Sequence, residues 1–61
     1  MNMIRIIETD TIRSGDLIAF NLSDGREAAG IVREIENDIF TVKTLGLGLL
    51  EVPSYEITDI C

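Results

Sequence analysis

Few side chains in this chain are equipped for chemistry. There is no histidine, and the one thiol is Cys61 at the last position. No serine or cysteine has a base spaced to activate it, and no glycine motif is arranged to cradle a phosphate. Three carboxylates, Glu34, Glu36 and Asp38, alternate around a turn signal at Asn37-Asp38. They form an acidic edge that suits a hard cation or a basic partner, without the ligand spacing of a calcium loop; a solvated strand face is the simpler reading. Three rings are present, Phe20, Phe40 and Tyr55. Phe20 and Phe40 fall at inward positions, which leaves too few exposed rings for a cation cage. Arg26, Arg33 and Lys43 lie near one another on the hairpin's outer side; they could touch nucleic acid, but read first as ion-pair partners of Glu27, Glu34, Glu36 or Glu51. Leu45, Leu47, Leu49 and Leu50, spaced by Gly46 and Gly48, are apolar where a loop is expected. They either form an exposed docking patch or cap the open end of the core, with Tyr55 as a polar rim. No catalytic residue, metal set or cofactor follows, and an enzyme is not expected.

Charge narrows the partners. Five basic residues against eleven acidic ones leave a net charge of −6, which opposes nonspecific phosphate binding and anionic membranes. A chain of 61 residues is one domain, and one this small buries only about 60% of its unfolded surface. Its 46% apolar content is generous for that size, so a core must be tightly filled or some apolar surface must meet a partner. A lone cysteine rules out an internal disulfide and fits a reducing, cytoplasmic compartment. No apolar run approaches the ~20 residues of a membrane span, and no signal-peptide pattern opens the chain.

The elements that would position these residues are strands. Ile39 to Thr44 holds four β-branched residues and one aromatic in six, with Phe40, Val42 and Thr44 on one face. Ala28 to Ile35 is less regular. If Val32 and Ile35 both point inward, a bulge or bend near Arg33-Glu34 must restore the phase. Gly30 permits close backbone approach there. Glu27 to Glu36 also carries a helical i, i+3, i+4, i+7 stripe through Ala28, Ile31, Val32 and Ile35, but Gly30 interrupts it and the flanking strands would lose a partner. Ile18, Phe20 and Leu22 alternate inward in an earlier strand. Ser14-Gly15-Asp16 and Ser23-Asp24-Gly25 are turns. Leu49 to Val52 reads as a fourth strand, Pro53-Ser54-Tyr55 as one turn of 3₁₀ helix and Glu56 to Ile60 as the closing strand. Met1 to Ile7 reads as an extra first strand, within an N-terminal connection of residues 1–13. Five strands with turns about every ten residues describe an all-β fold, a small barrel over residues 14–60.

Ser14-Gly15-Asp16-Leu17-Ile18-Ala19-Phe20 resembles the opening strand of SH3-like barrels of the Tudor and KOW kind. Gly30-Ile31-Val32-Arg33-Glu34-Ile35 resembles their second strand, and Tyr55-Glu56-Ile57 their close. A weaker likeness is to bacterial Sm-like proteins, through Gly25 to Thr44 and Leu50 to Ile57. Their N-terminal helix has no counterpart here, and their basic, histidine-containing segment is replaced by Pro53-Ser54-Tyr55-Glu56. The resemblance implies a five-stranded barrel with a 3₁₀ turn before its last strand. The functional expectation is a non-enzymatic, self-associating protein-interaction module, one version being a small acidic inhibitor or adaptor of viral or mobile-element origin. The alternative, by analogy of fold alone, is RNA or DNA binding.

Overall fold

A computed structural model describes residues 8–61; the expected strand at Met1 to Ile7 lies outside them. Five antiparallel strands form one sheet: β1 (Leu17–Asn21), β2 (Glu27–Glu36), β3 (Ile39–Thr44), β4 (Gly48–Pro53) and β5 (Ile57–Ile60). Their order is β4-β3-β2-β1-β5. One 3₁₀ turn, Thr9–Thr11, precedes the sheet, and a second, Ser54–Glu56, joins β4 to β5. The strand assignment of residues 27–36 settles the choice against the helical stripe. Among the described residues β4 and β5 are the two edges of the sheet, and no ladder between them closes it. The closed barrel expected above is therefore not the observed arrangement.

The inner face carries the core. Ile18, Phe20, Val32, Phe40, Val42, Val52 and Ile57 are buried, and the strand registers align them. Val32 opposes Val42, Phe40 opposes Val52, and Phe20 opposes Ile57. A single layer can bury its own face this completely only by curling over it. Two bulges provide the bend. Arg33 is the extra residue between the Val32–Val42 and Glu34–Thr41 pairs, and Thr58 the extra residue between Ala19–Asp59 and Phe20–Ile57. The first bulge returns Ile35 to the inner face opposite Phe40. Ile35 nevertheless remains 41% exposed, at the far end of the hairpin where no further strand covers it.

Ile12, which falls in the expected connection, is buried in the core instead. The residues after it are tied to β2. Gly15 N–H donates to Val32 C=O at 2.7 Å, and Val32 N–H donates to Asp16 C=O at 2.9 Å. The Ser14 hydroxyl reaches Arg33 C=O at 3.1 Å. At the tip of the β2–β3 hairpin Asn37 adopts φ 56°, a left-handed conformation that asparagine tolerates. Across the turn from β4 to β5, Ser54 N–H donates to Asp38 C=O at 2.8 Å, docking the 3₁₀ turn on the hairpin tip.

Candidate functional site

The outer face of the sheet is built by the residues that alternate out of phase with the core. The register sets Leu49, Lys43, Ile31 and Leu17 in one row across β4, β3, β2 and β1. Ala29 and Ala19 form the adjoining row. The β3–β4 turn rises beside it, with Thr44 and Gly48 paired at its base and the Thr44 hydroxyl donating to Gly48 C=O at 2.8 Å. Gly46 and Gly48 take φ 90° and 73°, which only glycine adopts freely. This tight turn leaves Leu45 with no cover at all, at 101% exposure, and leaves Leu47 and Leu49 exposed. Leu17, Ala29, Ile31, Leu45 and Leu47, with Lys43 beside them, line a shallow groove of about 470 Å³.

The four leucines of the loop do not act together. Leu50 faces inward opposite Val42 and packs against the core, because it follows Leu49 on a pleated strand. Leu17 and Ile31 join the outer patch instead, and both were missed. The signal was available: each is the odd residue beside an inward-alternating partner, Ile18 and Val32. Tyr55 is 83% exposed on the second 3₁₀ turn. It does not rim the leucine groove. With Leu50 it lines a different groove, of about 450 Å³, whose other walls include Phe20, Leu22, Val52 and Pro53.

The acidic residues fall at the far end of the same outer face. Glu34 and Glu51 flank Thr41, and Glu36 opposes Ile39 one row on. Glu34, Glu36 and Glu51 line a third hollow with Ile39 and Pro53; Asp38, in the turn, does not. Among the described residues no group of three or more acidic, cysteine or histidine side chains is placed to hold a metal ion. The outer face is thus divided, aliphatic around Lys43 at one end and carboxylate-bearing at the other.

Among the described residues none of the expected ion pairs on the hairpin forms, and the salt bridge that does lies in the β1–β2 turn. Arg26 pairs with Asp24, Nε to Oδ2 at 2.7 Å, while the Arg26 N–H donates to Oδ1 at 3.0 Å. That backbone donor, then the guanidinium, holds Asp24 below its ordinary pKa. Glu27 instead accepts from the Thr58 hydroxyl at 2.7 Å. The first contact braces the β1–β2 turn, and the second ties the start of β2 to β5.

No family model, curated protein or solved structure matches the chain. No helix among the described residues is long and apolar enough to cross a membrane.

Proposed function

We propose that this chain is a non-enzymatic protein-interaction module of the SH3-like kind that self-associates through the aliphatic end of its outer sheet face. The observation that carries the reading is the clustering of Leu17, Ile31, Leu45, Leu47 and Leu49, all exposed, on one side of the sheet. Exposed apolar side chains scattered singly are ordinary, but a contiguous patch marks an interface. A second copy suits this face because an aliphatic patch is self-complementary about a two-fold axis, each copy covering the other's exposed leucines. The curled sheet and its two bulges support kinship with SH3-like barrels, and the exposed single thiol of Cys61 suits a reducing, cytoplasmic setting. A role as a small acidic inhibitor or adaptor is one form such a module takes.

Solution mass by size exclusion with light scattering, under reducing conditions, tests the reading. A dimer that Leu47→Asp or Leu49→Asp converts to a folded monomer is the expected result. A strictly monomeric parent chain at every concentration overturns self-association. Binding of labelled single-stranded RNA or duplex DNA at low salt, where phosphate contacts are strongest, would put a nucleic-acid role in its place.

A further inference from the structure

The groove beside Tyr55 is formed by parts of the chain that are not neighbours in the sheet. One wall is the end of β1 and the turn after it, through Phe20, Leu22 and Ser23; the other is β4 and the 3₁₀ turn that follows. β3 and β2 separate these strands in the sheet order, so the groove is a seam between the end of β1 and β4, which the curl of the sheet brings to face each other. Three properties of this seam point to one kind of occupant. Its floor is apolar, from Leu22, Leu50 and Val52. Its rim holds Glu51, Glu56 and the ring of Tyr55, and among the described residues no lysine or arginine lines it. Its wall on one side is β4, which among the described residues is an edge strand paired only with β3 and presents a row of backbone donors and acceptors to the gap.

We infer that this seam binds an extended, basic peptide segment, laid along the free edge of β4. Every second side chain of such a segment is aliphatic and rests on the Leu22–Leu50 floor. The side chains between them are lysine or arginine, whose stems cover the apolar walls while their cations reach Glu51 and Glu56. Tyr55 supplies a ring face to the same cation. A tyrosine this exposed contributes little to the core, and its position at the mouth of the seam gives it a use. An acidic or uncharged segment lacks the complementary charge, and the chain's net charge of −6 further favours a basic one. This site is separate from the leucine face and stands or falls independently of self-association there.

The test is amide chemical-shift mapping on the ¹⁵N-labelled full chain, titrated with the peptide acetyl-Lys-Val-Arg-Val-Lys-amide. Saturable shifts confined to Asn21 to Ser23 and Leu50 to Glu56 are expected. The double variant Glu51→Gln with Glu56→Gln, and separately Tyr55→Ala, should each weaken binding about fivefold or more, as loss of surface charge pairs or of a cation–ring contact implies. These side chains are at least partly exposed, so the unliganded spectra should otherwise stay close to that of the parent chain. A control pair, Glu34→Gln with Glu36→Gln, should change binding far less. The proposal is overturned if that control weakens binding equally, since the attraction is then diffuse acidity. It also falls if acetyl-Glu-Val-Glu-Val-Glu-amide binds as well, or if the groove amides shift with protein concentration alone, which would make a second copy the occupant.

Discussion

Replacing Gly30 with alanine is the sharpest test of the packing described above. Gly30 is buried in β2 between Ile18 and Thr44. A Cβ built there would stand 2.5 Å from the Lys43 carbonyl oxygen, 2.6 Å from Val42 Cγ1 and 3.1 Å from the Lys43 carbonyl carbon. The nearest atom is backbone, in the strand that β2 is hydrogen-bonded to, so no side-chain rotation relieves the clash. β2 and β3 must separate locally. Overpacking of a filled core costs about 1–3 kcal/mol, and a weakened ladder hydrogen bond adds about 1 kcal/mol. Alanine's smaller backbone entropy loss returns about 0.5–1 kcal/mol. The net cost is about 2 kcal/mol, a large part of the roughly 3–9 kcal/mol that a chain of this length commands. In a domain this small it lowers Tm by about 8–16 °C. Thermal melts followed by far-ultraviolet circular dichroism, paired with urea denaturation, measure it. Gly46→Ala is the comparison, because its Cβ meets nothing within 4 Å and only its φ of 90° resists substitution, a penalty of about 1–2 kcal/mol. If Gly30→Ala melts at or above the parent temperature, the close approach of β2 and β3 described here is refuted.

Three further outcomes follow from the same geometry. Phe20→Ala empties the largest fully buried side chain and should cost about 3–5 kcal/mol, enough to leave much of the protein unfolded at 37 °C by circular dichroism; a melt close to that of the parent would mean the core is not organised around this ring. Asp24 has its pKa lowered by the Arg26 N–H and then by the guanidinium, so its stabilising effect is complete above its unfolded-state pKa and disappears as pH falls through the lower folded-state value. A carbon-detected NMR titration of Arg26→Gln should find the carboxyl moved only part of the way back, because the backbone donor remains; a full return would assign the whole effect to the guanidinium. Self-association through the leucine face should strengthen as salt screens the repulsion between copies carrying −6 each; light scattering that shows dissociation with added salt would make the contact ionic instead.

How much of this was legible beforehand depended on whether a residue's fate was local. The alternation of Ile18, Phe20 and Leu22, and of Phe40, Val42 and Thr44, is a property of each strand alone and correctly located the inner face. The odd spacing of Val32 and Ile35 pointed to a bulge, and Arg33 is that residue. Proline at 53 marked the 3₁₀ turn that starts one residue later. The failures concern what lies across the sheet. Alternation can say that Leu49 and Leu50 face opposite ways, but not that Leu17 and Ile31 complete the patch under Leu49, since that depends on the registers of three ladders. It cannot say that Ile35 reaches the correct face and finds nothing to cover it. Nor can it separate Tyr55 from the leucines, because the seam it borders exists only once the sheet has curled. Ile12 was hidden by its polar neighbours, Thr11 and Arg13, which disguised a core residue as part of a connection.

The strand order also shapes how the chain reaches this structure. Among the described residues three of the four ladders join strands adjacent in sequence, and only the β1–β5 ladder joins distant ones. The hairpins can therefore form early, each closing a short loop, whereas β5 must search for β1 across the whole meander. Until it arrives, Ile57 and Ile60 are absent from the core beside Phe20 and Ile18, and the outer edge of β1 stays open. The last ladder to form is then the first to release, so β5 acts as a latch on the folded state: its opening would loosen the 3₁₀ turn, carry Tyr55 away from β4 and dismantle the seam while leaving the leucine turn on its own hairpin intact.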